Sequence, residues 1–351
     1  MSRLDGAQGA SADFNLWEAT EMRNTTKGQE LLTMSRSFME CRVLLTGAEL
    51  NIFKLLAEPA SSGEIARLKG WYERPLTVLL DALTAMGLLI KTGSLYRTDP
   101  GHLPYLDSDS PQSVLPMIRH AATIWNNWSN LTEIVAETGG VQRQPARFED
   151  PEDRKAFIGA MHVVARDMAP QIVKAVPGSA RRLLDVGGGS GTYTIAFLDA
   201  HPDMVATLFD LPEVMEMAIE RIAAAGLMDR VTLAAGDFYN DPLPSGHDLA
   251  MVSAIIHMNS AEQNLALYRK IAHALDPGGR IVIRDHVMNP SKTAPKSGAL
   301  FAINMLVGTP GGGTYTYEEI KTDLTAAGFE KVQLLQEADR MMGLVQAYKP
   351  L

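Results

Sequence analysis

Residues 183–191 read Leu-Leu-Asp-Val-Gly-Gly-Gly-Ser-Gly, an apolar run that enters a glycine turn. Such a turn needs residues that accept positive φ, and the missing Cβ atoms let backbone N–H groups approach a ligand closely. From Arg181 onward, candidate strands at 181–186, 204–210, 230–236, 248–256, 280–287, 331–336 and 343–348 alternate with helical spacers. That rhythm predicts an α/β fold with a doubly wound, mostly parallel, seven-stranded sheet. Ligands of such sheets sit beyond the carboxyl ends of the strands. The residues found there, 185–191, Asp210, Asp237, His257 and Asp285, are therefore the first candidates for a site.

Three nucleotide-binding readings compete for the turn. A dinucleotide fingerprint needs glycine at 192, where this chain has threonine, and a phosphate-binding P-loop needs a lysine that is absent. Asp185 lies immediately before the turn, and its carboxylate repels a pyrophosphate but attracts an amine or a sulfonium. Asp210 falls 25 positions later and can accept both hydroxyls of a ribose. Asp237 and Phe238 end the next strand, offering an acceptor for an adenine amine and a flat face for its ring. Each acid alone could be a helix cap or a solvated turn residue; three at successive strand ends favour a site. His257 follows at the mouth of the same sheet, before a capping box of Ser260 and Gln263. An imidazole there can take a proton near neutral pH. On position alone it could equally be a buried structural histidine.

The formal net charge of −9 argues against nucleic acid as the main partner. Cys41 is the only cysteine, which excludes an intrachain disulfide and a cysteine-based metal cluster, and no metal is expected. No apolar run is long enough to span a bilayer and the first residues lack a signal-peptide core, so the expected location is cytoplasmic. The chain divides into an unstructured stretch at 1–15, a winged-helix unit at 16–110, a helical connector at 111–178 that contributes to a substrate pocket, and the ligand-binding domain at 179–351. The winged helix rests on apolar spacing over 30–56, helices near Ser62 and Arg74, and an alternating hairpin at 90–97. Its second helix offers mainly Leu, Ala and Met to a groove where base reading needs Arg, Asn, Gln or Lys, which favours protein packing over DNA. The apolar helices before it exceed what one small winged helix can bury, and this points to a homodimer. Trp125, Trp128, Phe157, Met161, His162, Phe301 and Met305 are candidates for a roomy, mostly apolar pocket.

In order and spacing, residues 185–191, Asp210-Leu211-Pro212, Gly236-Asp237-Phe238, His257 and Gly311-Gly312 resemble the S-adenosylmethionine-dependent small-molecule O-methyltransferases, of the plant phenolic and bacterial natural-product types. The resemblance covers nearly the whole chain. It implies that Asp185, Gly187 and Gly189 form the turn holding the methionine end of the cofactor. Asp210 with Leu211 would hold its ribose, and Asp237 with Phe238 its adenine. Ser253 falls where plant members often place a cofactor-contacting lysine. The resemblance makes His257 the general base, with Asp285 beside it, and Met161 and Met305 the clamp on a planar acceptor. Trp125, Phe157, His162, Phe301 and Thr309 complete the expected substrate contacts. It also implies that the winged helix forms an intertwined homodimer. Two departures stand out: His257-Met258-Asn259 replaces the usual His-Asp-Trp, and Thr314 occupies the position of a second base-flanking glutamate. C-methylation, a non-methylating relative, an inactive scaffold and a metabolite-sensing winged-helix regulator are the rival readings.

Overall fold

The computed structural model describes residues 26–136, 151–337 and 341–351, and the expectations for 1–15 and for the first part of the winged-helix unit, 16–25, lie outside them. The chain forms two compact units, one ending at Asp107 and one running from Ser108 to Leu351.

In the first unit, helices Ser62–Lys69 and Glu73–Ala85 are followed by a hairpin of strands Leu89–Thr92 and Leu95–Thr98. The first of these helices begins with a capping box, in which Ser61 accepts from the Glu64 amide while Glu64 accepts from the Ser61 amide. The hairpin turns at Gly93 with φ 60°, a conformation that costs glycine nothing. Leu76, Leu80 and Leu83 recur at helical spacing and are buried with Phe53, Leu89 and Tyr96. Asp81 ties helix to hairpin by accepting from Lys91 and from the Tyr96 hydroxyl. The Pro-rich stretch read as a plain connector contains one helical turn, Leu103–Leu106, because Leu106 is drawn into the unit's core. Leu31, Met34, Phe38 and Met39, on helices before the winged element, are by contrast about half exposed or more.

The second unit is built on a seven-stranded sheet: β1 (Arg182–Val186), β2 (Val205–Asp210), β3 (Val231–Ala235), β4 (His247–Ser253), β5 (Leu275–Asp285), β6 (Glu330–Gln336) and β7 (Gly343–Tyr348). The strand order is β6-β7-β5-β4-β1-β2-β3. Pairs among β1 to β5 are parallel, whereas β7 runs antiparallel to both β5 and β6. Alternation sends Leu183, Leu249, Met251, Val282 and Leu344 to one face, against Ile172, Phe197 and Ile222 of the covering helices. Leu184, Val186, Ala250, Val252, Ile283 and Val345 take the other face, against Leu267, Ile271 and Leu324. Burial on both faces explains why these strands read as continuous apolar runs. Among the described residues no helix is long and apolar enough to cross a membrane.

The helix after the glycine turn, Thr192–Ala200, is fixed at its far end by Arg230. That guanidinium donates to the carbonyls of Leu198 (3.1 Å), His201 (2.6 Å) and Met204 (2.8 Å), groups without helical partners. Arg230→Met should lower the unfolding free energy by about 2 kcal/mol, because bonds to a charged donor are lost and the carbonyls remain. Urea titration followed by circular dichroism measures it.

Candidate active site

The turn leaves β1 at the point where strand order reverses. Gly187, Gly189 and Gly191 have φ of 67°, 56° and 75°. A Cβ at 187 would lie 2.5 Å from Ile255 Cδ1, and one at 188 would lie 2.7 Å from Leu208 Cγ. At 189 a Cβ would meet nothing within 4 Å. The turn is thus sealed on its inner side and open over Gly189, a cradle for a ligand that touches backbone. Asp185 lies beneath it, 1% exposed, with Oδ2 accepting from the Thr194 amide (3.1 Å) and hydroxyl (2.6 Å). Through Oδ2 this carboxylate clamps the start of the following helix to the turn. Burial lifts its carboxyl to about 6, against the pull of the Thr194 bonds.

Asp210 braces the turn from β2. Its Oδ2 accepts from the Gly189 amide and its Oδ1 from the Leu211 amide, each at 2.7 Å, which leaves further lone pairs on both oxygens. Asp237 accepts from the Tyr239 amide (2.9 Å) and from Asn240 Nδ2 (2.8 Å). The Phe238 ring edge comes within 3.8 Å of where a Gly187 Cβ would stand. Lys270, which sequence reasoning missed, holds this loop by donating to the carbonyls of Phe238, Tyr239 and Asp241 at 2.8–2.9 Å. The open glycine face, two strand-end carboxylates and an aromatic ring fit an adenosyl ligand.

His257 sits in the single turn Ile256–Met258 beyond β4, and Asp285 ends the neighbouring β5. Imidazole Nδ1 lies 2.9 and 3.0 Å from the two carboxylate oxygens. Burial pushes the Asp285 carboxyl up, but His257 and the His286 amide outweigh it and hold the group below its ordinary value. In a neutral ring, an ionised partner at Nδ1 selects the tautomer protonated there and leaves the lone pair on Nε2. Phe301 meets the imidazole edge-on at 4.8 Å. His286 also packs on Phe301, at 4.9 Å; burial holds its pKa down at about 4, so it stays neutral.

The replacement of the His-Asp-Trp pattern has a structural counterpart. Asn259 is fully buried, accepts from the Tyr239 hydroxyl at 2.5 Å and donates to Asn264 Oδ1 at 3.0 Å. Asn264 in turn donates to the Ile256 carbonyl (3.0 Å), and the Tyr315 hydroxyl donates to the Asn259 carbonyl. The capping box of Ser260 and Gln263 forms immediately after it. On the other side the Gly313 amide donates to the His257 carbonyl at 2.9 Å. A Cβ at Gly312 would lie 2.5 Å from both that carbonyl oxygen and Thr309 Oγ1, so this loop packs tightly under the histidine. Thr314 follows, buried.

The structure groups part of the expected acceptor set. Phe301 and Met305 share the helix Lys296–Gly308, whose Asn304 accepts from Trp128 Nε1 at 2.9 Å. Trp125 lies one turn earlier on the Trp128 helix and is half-buried, as are Phe157 and Met161. Phe157 packs edge-on against His120 at 5.1 Å. His162 is turned elsewhere: successive helical residues diverge by about 100°. Its ring bonds Thr192 Oγ1 and Arg221 Nη1, both at 2.8 Å, with its pKa held near about 4 by burial and then by Arg221. Thr309 spends its hydroxyl internally, donating to the Met305 carbonyl (2.8 Å) and accepting from the Gly312 amide (2.9 Å). Ser253 accepts from Arg284 at 3.3 Å. Among the described residues no group of three or more His, Cys, Asp or Glu could hold a metal ion.

The clamp under the turn has a pH signature. The folded Asp185 carboxyl, at about 6, binds its proton more tightly than the unfolded group at 3.8. It therefore favours folding below the unfolded value and gives that stability up as pH rises to the folded one. Relative to the wild type, Asp185→Asn should gain unfolding free energy between about pH 4 and pH 7, in urea titrations at each pH.

An O-methyltransferase domain model matches residues 128–330, and an O-methyltransferase dimerisation domain model matches residues 32–100. The chain is 34% identical over 316 residues to 3-hydroxy-5-methyl-1-naphthoate 3-O-methyltransferase of Streptomyces sahachiroi, covering 88% of this chain and 91% of the relative. It is 32% identical over 314 residues to the tetracenomycin polyketide synthesis 8-O-methyltransferase of Streptomyces glaucescens, covering 87% and 92%. The fold superposes on human N-acetylserotonin methyltransferase solved in complex with S-adenosylmethionine with a TM-score of 0.79, at 25% identity, over 93% of this chain and 98% of that one. The glycine cradle, the carboxylates that brace it and the histidine beside them thus belong to a methyl-transfer enzyme, and the chain is a member of the S-adenosylmethionine-dependent O-methyltransferase family.

Proposed function

We propose that this enzyme methylates a hydroxyl of a small aromatic or polycyclic metabolite, with His257 as general base. The observation that carries this reading is the buried His257–Asp285 pair, whose imidazole meets the Phe301 ring at the end of β4. The two bacterial relatives, named for a hydroxynaphthoate and for a polyketide, support a planar, fused-ring acceptor. Bound S-adenosylmethionine supplies an electrophilic methyl on a cationic sulfur that becomes neutral on transfer. The turn at Gly187 and Gly189, Asp210 with Leu211, and Asp237 with Phe238 are the residues assigned to hold it. Phe301 and Met305 orient the acceptor, with Trp125, Phe157 and Met161 extending the apolar surface. His257 Nε2 removes the hydroxyl proton, while Asp285 keeps the ring oriented and stabilises the imidazolium that forms. With no anion to stabilise, alignment and exclusion of water supply most of the acceleration.

His257→Ala should bind S-adenosylhomocysteine as the wild type does but lose about 10²–10⁴-fold in turnover. Asp285→Asn should fall between the two. Hydroxynaphthoates and other phenols serve as acceptors, and fragment mass spectra locate the added methyl on oxygen or on carbon. Undiminished turnover in His257→Ala removes the base role, and a carbon-linked methyl removes the O-methyl assignment.

The apolar residues left exposed on the first helices fit a homodimer, since Leu31 and Met34 are each 65% exposed in the single chain and the dimerisation model begins at residue 32. Light scattering at micromolar concentration should give the mass of two chains, and Phe38→Glu with Met34→Glu should shift it toward one.

A further inference from the structure

Arg284 is a cation that the reading above leaves unused. It precedes Asp285 on β5, and alternation sends its side chain to the opposite face, with Val282. It is 2% exposed, and a charge so deeply buried is costly unless a partner answers it. Among the described residues it has no ion pair. Nη1 reaches Ser253 Oγ at 3.3 Å, Nη2 reaches only Met168 Sδ at 3.8 Å, and Nε has no partner. The Tyr193 ring lies 5.8 Å from the guanidinium, and its buried hydroxyl faces Ser253.

These donors stand next to the glycine turn. In the pairing of β1 with β4, Val186 lies opposite Val252, so Ser253 is level with Gly187. Tyr193 opens the helix that leaves the turn. The carboxylates at the strand ends, Asp185, Asp210, Asp237 and Asp285, carry the wrong sign for the one anionic group of the methyl donor, the carboxylate of its methionine end. We propose that Arg284, with the hydroxyls of Ser253 and Tyr193, anchors that carboxylate. The guanidinium is already stripped of water, so a ligand carboxylate supplies the acceptor that its free N–H groups lack. This assignment rests on the reading that the turn at 187–191 holds the donor.

Calorimetry with two ligands separates the outcomes: S-adenosylhomocysteine carries the amino-acid end, and 5′-methylthioadenosine lacks it. Arg284→Met should weaken S-adenosylhomocysteine by about 10- to 100-fold while leaving methylthioadenosine within about twofold. Arg284→Lys should recover part of the loss. Decarboxylated S-adenosylmethionine should bind wild type and Arg284→Met alike. Equal losses for both adenosyl ligands, or none, overturn the role of Arg284. Should Arg284→Met fail to fold, the half-buried Ser253→Ala gives the same test, with a selective loss of S-adenosylhomocysteine affinity expected and an equal effect on both ligands refuting it. Asp210→Asn should weaken both ligands; if it weakens neither, the donor-site reading itself fails.

Discussion

Strand β1 pairs in parallel with β2 on one side and β4 on the other, and is buried on both faces. Because the chain winds away from it in opposite directions, no connection crosses above its carboxyl end. Everything at the site depends on that gap. The turn that fills it must fit between Ile255, beyond β4, and Leu208 of β2, which leaves no room for a Cβ at 187 or 188. Asp210 and Ser253 flank it because their strands are its two neighbours; His257 follows just beyond β4, and Asp285 ends β5, one strand further out. Sheet topology thus sets the order of functional groups across the cleft before any side-chain interaction is considered.

Much of this was legible because it is local. Glycine spacing, the alternation of strands with helices, and the box at Ser260 with Gln263 are all decided within a few residues. What escaped was decided by distant contacts. β5 begins at Leu275 rather than 280 and runs through Pro277-Gly278-Gly279. The pairing with β4 absorbs that segment through a register shift between His247 and Leu249. The bond from Thr194 to Asp185 joins residues nine apart, across the turn. The bonds of His162 to Arg221 and of the Gly312 amide to Thr309 are likewise made only once the helices and loops are in place.

The departure at 258–259 illustrates the same division. In sequence it is a missing motif; in the fold, Asn259 is the centre of a hydrogen-bonded network drawing on Tyr239, Asn264 and Tyr315. A buried amide with four hydrogen-bonding sites specifies its neighbours closely, since any one left unmatched costs about 1–3 kcal/mol. The segment carrying His257 is therefore held by polar matching on one side and by the Gly312–Gly313 backbone on the other. Thr314, at the second flanking position, offers no carboxylate, so Asp285 bears the orientation of the imidazole.

The loop under His257 also links two parts of the enzyme that are chemically distinct. Thr309 joins the end of the Phe301 and Met305 helix to Gly312, and Gly313 joins the same loop to the histidine's own carbonyl. Displacement of that helix by an ill-fitting acceptor would reach the imidazole through a few covalent and hydrogen bonds. Discrimination among acceptors would then be expressed in the rate of the chemical step more than in the strength of binding.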